Sequence, residues 1–496
     1  MRARDLLDKV ELLTECGIED VLVEGITMNS REVRKNWAFV AIEGAHVNGH
    51  DFIVAALAAG ASLIIGTREE YLSNAPSYVL VADGRLALAI MANNFFGRPG
   101  QQLRLVGITG TNGKTTTSYL LGTTLTALGK MAGVMGTIGA HLRDQRWKMA
   151  FTTPEAPALC KMLADMKDAG ADVVAMEVSS HGLAMKRVDG LVFEVCVFTN
   201  LSQDHLDFHA DMKSYGDTKA RLFTEIMAAS PSSKGAVINV DDVFGRELTK
   251  RLEGPVLTCS CKENGADITV HRFTQYLHGA SFTVRGPWGD LAVRTPLVGQ
   301  HNAANILAVL GVLHLLGEDV NEAASALSTG GTIPGRLEPV SNSLGLGIWV
   351  DYCHTPDALR NVLVALKEVV PGKLITVFGA GGDRDREKRP EMGRVVAEHS
   401  DIMVVTSDNP RTESSIAIID EILSGVDSET RFKRTIVAPD RRLAIETALG
   451  IASQGDGVLI GGKGHELTQT IGKNVFDFDD RKVAAESVSR LERQVV

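Results

Sequence analysis

The chain has 496 residues, too many for one hydrophobic core and enough for two to four domains. Its apolar fraction of 44% and charged fraction of 23% are those of an ordinary soluble globular protein. A net charge of −10 excludes general attraction to nucleic acid or an anionic membrane, so any polyanionic ligand must meet locally gathered basic groups.

The N-terminal run MRARDLLDKVELL is charged throughout and lacks an apolar export segment. The apolar run IVAALAAGASLII is too short to span a bilayer. Six cysteines are scattered along the chain, and Cys259 and Cys261 lack a second pair at zinc-site spacing. Reduced thiols and a cytoplasmic location are expected.

Two Gly- and Pro-containing joints, FFGRPGQQ (95–102) and STGGTIPGRLEP (328–339), divide the chain into regions 1–99, 100–333 and 334–496. In the middle region the apolar runs LRLVGIT, DVVAMEV and FEVCVFTN alternate with helical patterns. GIWVDY, KLITVFG, DIMVVTSD and DGVLIGG follow in the last region. Continuously apolar strands separated by helices predict an α/β fold with mostly parallel sheets, and ligands beyond the carboxyl ends of the strands.

Leu103–Ile108 is predicted to be a strand and Thr115 onward a helix carrying Leu120, Leu121, Leu125 and Leu128, with Gly129 ending it. Between them lies Gly110-Thr111-Asn112-Gly113-Lys114-Thr115. The general phosphate-loop pattern, G-x-x-x-x-G-K-[ST], would place a glycine at 108, where this chain has Ile108. A glycine turn with a solvated lysine is the plain alternative. Strand, turn, GKT and helix in that order favour a nucleotide, with Lys114 on the β/γ-phosphates and the Thr115 hydroxyl on Mg²⁺.

Two more strand ends point the same way. DVVAMEV leads to Glu177, a carboxylate suited to Mg²⁺, and VFTNLSQDHLDFH carries Asn200, Asp204, His205, Asp207 and His209. Each residue alone fits a surface loop. Together they favour a metal-assisted nucleotide site with room for a second divalent ion.

On these residues the chain resembles the Mur ligase family over essentially its full length. The loop matches the family form G-T-N-G-K-[ST]-[ST] at Gly110–Thr116, which accounts for Ile108. MEVSSHGL, FTNLSQDHLD, GQHNAANILA, PGRLEP, DYCHTPDAL and GAGGDRDREKRPEMG resemble family segments in the same order. The resemblance implies an ATP-dependent amide ligase of peptidoglycan synthesis, nearest to members that add the third residue of the stem peptide. It implies an α/β protein of three domains: an N-terminal UDP-binding domain, a central phosphate-loop ATPase and a C-terminal Rossmann-like domain bringing the amino acid.

Residue by residue, the resemblance places Ser30 and Arg31 at the UDP end, and Thr152, Thr153, Ser179 and Arg187 on the muramoyl-peptide. It places Gly110, Thr111, Asn112, Gly113, Lys114, Thr115, Thr116, Asn302, Arg336 and Asp351 around ATP. Thr115, Glu177, His205 and Lys219 would hold two Mg²⁺ ions, Lys219 as a carbamate (N6-carboxylysine). From spacing alone Lys219 is an ordinary helix lysine. Lys114, Glu177, His205 and Lys219 form the implied catalytic set.

The incoming amino acid is either lysine or meso-diaminopimelate, which carries one more carboxylate. SDNPRTE resembles diaminopimelate-adding members, with Arg411 as the guanidinium for that carboxylate. Asp408 and Glu466 would receive the distal ammonium, and Arg389 would help hold the carboxylates. Asn409, Pro410 and Gly462 complete this group. The expected substrates are ATP, UDP-N-acetylmuramoyl-L-alanyl-D-glutamate and meso-diaminopimelate, bound by a monomer without nucleic acid or membrane.

Two departures are Met185, where related enzymes present Gln, and Cys353, in place of Ala. Three alternatives stand beside this reading: a lysine-adding ligase, a folylpolyglutamate-synthase-like ligase, and a non-catalytic ATP-binding switch. Residues 26–52 resemble a UDP-binding segment, which the second lacks. The third would not need the acidic and histidine strand ends. GAGGDRD is discounted as a dinucleotide loop because Arg384 stands at its last glycine position.

Overall fold

The structure is a computed structural model that describes residues 1–44, 47–262 and 265–495. Ala45 and His46, within the 26–52 stretch, lie outside the described residues.

The N-terminal sheet has five strands, ordered Leu12–Cys16, Tyr78–Val81, Ala61–Gly66, Trp37–Val40 and Gly25–Thr27. All neighbours are parallel except the first pair. Alternate side chains serve two cores: Leu63 and Ile65 pack with Val79 on one face, Ile64 with Phe39 and Tyr78 on the other. The helix Gly84–Phe95 begins where the Asp83 carboxylate accepts the amides of Arg85 and Leu86. Asp83 also pairs with Lys186 at 2.6 Å, tying this sheet's helix to the middle of the chain.

The largest sheet has eleven strands. At its centre Arg104–Thr109 lies between Val173–Glu177 and Val195–Phe198, and all three are parallel. The chain runs on from Arg104–Thr109 toward one edge of the sheet and from Val195–Phe198 toward the other, so a switch point opens between the carboxyl ends of these two strands. Val106, Ile108, Val174 and Val197 are wholly buried, as strands covered on both faces require. Each such side chain contributes roughly 1.5–3 kcal/mol of hydrophobic stabilisation. Antiparallel pairings widen both edges: Gly139–Leu142 and Gln145–Trp147 on one side, and on the other Gly279–Gly286 and Gly289–Thr295 beyond Ile268–Tyr276, which itself joins the sheet in parallel. Their alternating, half-exposed sequences were not anticipated as strands.

The helix after the phosphate loop runs Lys114–Ala127, and Gly129 follows it at φ +81, as expected of a terminating glycine. In the joint at 95–102, Gly97 and Arg98 both adopt positive φ.

The C-terminal sheet has six strands, ordered Glu338–Pro339, Gly347–Asp351, Gly457–Gly461, Leu374–Phe378, Ile402–Val405 and Thr435–Val437. Only the short first strand is antiparallel to its neighbour. A separate hairpin, Thr468–Ile471 with Asn474–Asp477, projects from this region. The architecture is therefore α/β with mostly parallel sheets, as the apolar runs predict. Among the described residues all six cysteines are free, and no helix is long and apolar enough to cross a membrane.

Candidate active site at the switch point

Gly110 leaves the central strand at φ +149, where a β-carbon would lie 1.9 Å from Thr199 Oγ1. Gly113 turns into the helix at φ +85, its own β-carbon position 2.5 Å from Asn305 Oδ1. The turn thus starts at 110, and Ile108 remains a wholly buried strand residue. The loop is pinned from the next strand end. Asn200 accepts the amides of Thr111 (2.8 Å) and Asn112 (2.9 Å), and Thr199 Oγ1 donates to the Asn112 carbonyl at 2.6 Å. Lys114 Nζ donates to the Gly110 and Thr111 carbonyls at 2.8 and 2.7 Å. Burial lowers its pKa, opposed by the charges of Glu177 and Asp204.

Glu177 ends its strand almost wholly buried, and both carboxylate oxygens accept from Thr137, through its amide (2.8 Å) and hydroxyl (2.9 Å). Thr137 was not anticipated, although GVMGTIGA carries it off a parallel strand beside that of Glu177. Lys219 is also buried; its Nζ donates to the Gly110 carbonyl at 2.9 Å and lies 4.4 Å from the Tyr215 ring centre. Desolvation, and then the neighbouring Lys114 charge, hold the Lys219 pKa well below its ordinary value. His205, at φ +56, is held low mainly by burial. Of its companions, Asp204 is buried and faces Lys388 at 3.7 Å, whereas Asp207 is exposed.

Among the described residues no group of three or more His, Cys, Asp or Glu side chains converges as a metal cage. The donor chemistry nevertheless fits Mg²⁺, which keeps waters and binds through one or two carboxylates plus substrate phosphates. Thr115 and Glu177 offer hard oxygen donors, and His205 a neutral imidazole. The free Lys219 amine is a poor Mg²⁺ ligand, and only a carboxylated nitrogen would add an oxygen donor.

A cleft of about 830 Å³ gathers Thr111–Thr116, Glu177, His205 and Lys219 with Asn302, Arg336 and Asp351. The C-terminal region closes it directly. Arg336 Nη2 donates to Thr115 Oγ1 at 2.9 Å, and Asn112 Nδ2 to Asp357 Oδ2 at 3.0 Å. The Asp351 carboxylate accepts the amides of Leu337 (2.6 Å) and Cys353 (2.8 Å), while burial raises its pKa. The Cys353 side chain is buried against Gly461, a packing role. Asn302 donates to the Val298 carbonyl at 2.8 Å and accepts from Asn305 Nδ2 at 3.2 Å. Asn305 is therefore the residue touching the loop, a role the paired asparagines of GQHNAANILA could have suggested.

Thr152 and Ser179 line the same cleft. Thr153 is wholly buried: its hydroxyl donates to the Glu177 carbonyl and accepts the Ser179 amide, both at 3.0 Å. Arg187 donates to the Thr153 carbonyl at 2.9 Å, pairs with Glu155 at 2.6 Å and lies under the Phe151 ring. Met185 follows the short helix Ser180–Ala184. Ser30 and Arg31 form a 3₁₀ turn in the N-terminal region, where Asn29 Oδ1 accepts the Arg31 amide at 3.2 Å.

The residues expected around the amino acid also converge. Gly462 sits where a β-carbon would lie 2.6 Å from Asp408 Oδ2. Asn409 Nδ2 donates to Glu466 at 2.8 Å, and the wholly buried Lys463 donates to both Asn409 (3.1 Å) and Glu466 (2.8 Å). Glu466, expected to receive an ammonium from substrate, thus already receives one from Lys463. Lys463 was missed, though GGKGHE contains it. Arg389 is wholly buried and donates to Glu413 (2.8 and 2.9 Å), Glu421 (2.6 Å) and the Gly381 carbonyl (3.1 Å). Its side chain is engaged by two carboxylates of the protein itself, and its guanidinium holds the Glu413 pKa down to about 2.

Three consecutive segments match the parts of one enzyme family. Residues 22–96 match the Mur ligase family catalytic domain, 108–313 the Mur ligase middle domain, and 335–464 the Mur ligase glutamate ligase domain. A UDP-N-acetylmuramoyl-L-alanyl-D-glutamate–2,6-diaminopimelate ligase of Geobacter metallireducens is 40% identical, covering 99% of both chains.

This chain belongs to the Mur ligase family.

A ligase of the same name from Gloeobacter violaceus is 43% identical over 99% of this chain and 98% of its own. Among solved Mur ligases, a structure titled UDP-N-acetylmuramoyl-L-alanyl-D-glutamate–2,6-diaminopimelate ligase is 33% identical, covers 95% of each chain and superposes with a TM-score of 0.68. The MurF ligase of Thermotoga maritima in complex with ADP shares the fold at 24% identity, with a TM-score of 0.62 over 96% of this chain and 98% of its own.

Proposed function

We propose that this Mur ligase joins meso-2,6-diaminopimelate to UDP-N-acetylmuramoyl-L-alanyl-D-glutamate, converting ATP to ADP and phosphate, in peptidoglycan synthesis. The observation that carries the reading is the cleft in which the phosphate loop, Glu177 and Lys219 face Arg336 and Asp351 from the C-terminal region. Full-length relatives with this named activity support the choice of substrates.

A carboxylate and an ammonium do not condense at neutral pH, because oxide is a poor leaving group and the amine is protonated. A glutamyl carboxylate oxygen attacks the γ-phosphorus, the bond to the β-phosphate oxygen breaks, and ADP leaves. The neutral amine of diaminopimelate then attacks the acyl phosphate carbon and loses a proton. The tetrahedral intermediate expels phosphate, leaving the amide. Lys114 stabilises charge on the transferring group, the main catalytic task in phosphoryl transfer.

Thr115, Glu177, His205 and carbamylated Lys219 would hold Mg²⁺, whose charge would help neutralise the phosphoryl group when bound. The depressed Lys219 pKa supports carbamylation, since only a neutral amine adds to carbon dioxide. We assign UDP binding, with Ser30 and Arg31, to residues 1–99, ATP to 100–333 and the amino acid to 334–496. Thr152 and Ser179, with Thr153 and Arg187 supporting them, would take the muramoyl-peptide. Arg411 would take the distal carboxylate, within the group formed by Asp408, Asn409, Pro410, Gly462 and Glu466.

Phosphate release tests the reading: it should require the UDP-muramoyl dipeptide, ATP and diaminopimelate together. Release with a folate and glutamate instead would favour the folylpolyglutamate alternative.

A further inference from the structure

Arg411 adopts φ +50, a left-handed conformation that a side chain disfavours unless its surroundings impose it. The hairpin after Glu466 imposes it on the backbone. The Arg411 amide donates to the Thr470 carbonyl at 3.1 Å, and the Gly472 amide donates to the Arg411 carbonyl at 2.7 Å. The side chain is held from a different loop, where Arg411 Nη1 donates to the Gly382 carbonyl at 2.6 Å. Its remaining guanidinium donors have no hydrogen-bond partner among the described residues, and so stay open to a ligand.

The loop that holds this side chain is itself clasped to the residue after Arg411. Thr412 donates through its hydroxyl to Asp383 Oδ1 at 2.6 Å and through its amide to Asp383 Oδ2 at 3.2 Å. Asp383, also left-handed at φ +54, donates its amide to Glu413 at 2.6 Å. Gly382 permits the approach, since a β-carbon there would stand 1.9 Å from the Pro410 carbonyl oxygen. The glycines of GAGGDRD therefore serve contact with the Asp-Asn-Pro-Arg turn.

We propose that Asp383 and Thr412 are positioning residues for Arg411, so that selection of a distal carboxylate depends on a clasp that does not itself touch the amino acid. The proposal rests on the reading of Arg411 given above. A guanidinium grips a carboxylate through two parallel hydrogen bonds, and a small rotation of the fork loses one of them. Thr412 is exposed, so its hydroxyl can be removed without opening a core.

The test is steady-state kinetics of full-length Thr412→Val, Thr412→Ser, Asp383→Asn and Arg411→Ala enzymes, with melting temperatures measured alongside. Thr412→Val and Asp383→Asn should raise KM for diaminopimelate roughly tenfold, with KM for ATP and the UDP-substrate unchanged and melting unaltered. Thr412→Ser, which keeps the hydroxyl, should behave as wild type. An unchanged diaminopimelate KM in Thr412→Val beside a raised one in Arg411→Ala would overturn the clasp alone. Equal rises in all three KM values would also overturn it, as a general structural defect. An unaffected Arg411→Ala enzyme would overturn the reading of Arg411 and the clasp with it.

Discussion

Arg336 and Thr115 lie 221 residues apart in sequence, and a guanidinium nitrogen of one donates to the hydroxyl of the other at 2.9 Å. The hydroxyl assigned to Mg²⁺ is thus touched from the C-terminal region, so on this assignment one residue would meet both ATP and the C-terminal region. Arg336 also lies over the Tyr352 ring, 4.7 Å from its centre. Arg336→Lys keeps the charge but loses the planar fork, and should lower kcat at least tenfold with a smaller change in KM for ATP. Single-turnover phosphoryl transfer checks this, and an unchanged rate would remove Arg336 from the ATP site.

Lys114→Ala should abolish ligation while leaving the melting temperature near wild type, because among the described residues the lysine donates only to carbonyls of its own loop. Turnover near normal would refute the phosphate-loop assignment.

Lys219→Ala should be nearly inactive and regain part of its activity in added short carboxylates, which replace the lost carbamate oxygens. High activity without rescue, or no response of the wild-type enzyme to removal of carbon dioxide, would contradict carbamylation.

Stability of the C-terminal region depends on a different pair. Arg441 and Asp480 are both wholly buried and meet at 2.6 Å, and Arg441 also donates to the Gly461 carbonyl at 3.0 Å. Asp480→Ala strands a guanidinium and should cost about 3–5 kcal/mol. Denaturant unfolding measures it, and a loss below about 1 kcal/mol would show that Arg441 finds another partner or water.

The central parallel strands of the two larger sheets were legible because burial on both faces writes continuous apolar runs, such as Leu105–Ile108 and Val173–Met176. The antiparallel edge strands were not, since Gly289–Thr295 alternates exposed and buried residues and reads as loop. The placement of Gly110 and Glu177 at strand ends, with Lys114 opening the helix after the loop, was legible from residue type and order. Thr137, Asn305 and Lys463 were not, because their roles come from contacts that only folding creates. Thr137 matters through Glu177, 40 residues on, and Asn305 through Gly113 on a different helix. Arg389 was marked as a carboxylate-binding residue, and the structure supplies it with Glu413 and Glu421, carboxylates that local spacing could not pair with it.

The most direct measurement of the central claim compares amino acids in one assay. With ATP and UDP-N-acetylmuramoyl-L-alanyl-D-glutamate saturating, phosphate release is followed against meso-diaminopimelate and L-lysine for wild type and Arg411→Ala. Loss of one partner of a buried charge pair costs roughly 2–5 kcal/mol, so the variant's kcat/KM for diaminopimelate should fall by about 30-fold or more. Wild type should use lysine poorly, and its lysine rate should change little in the variant. Equal use of the two amino acids by wild type, or an unaffected variant, would contradict the account.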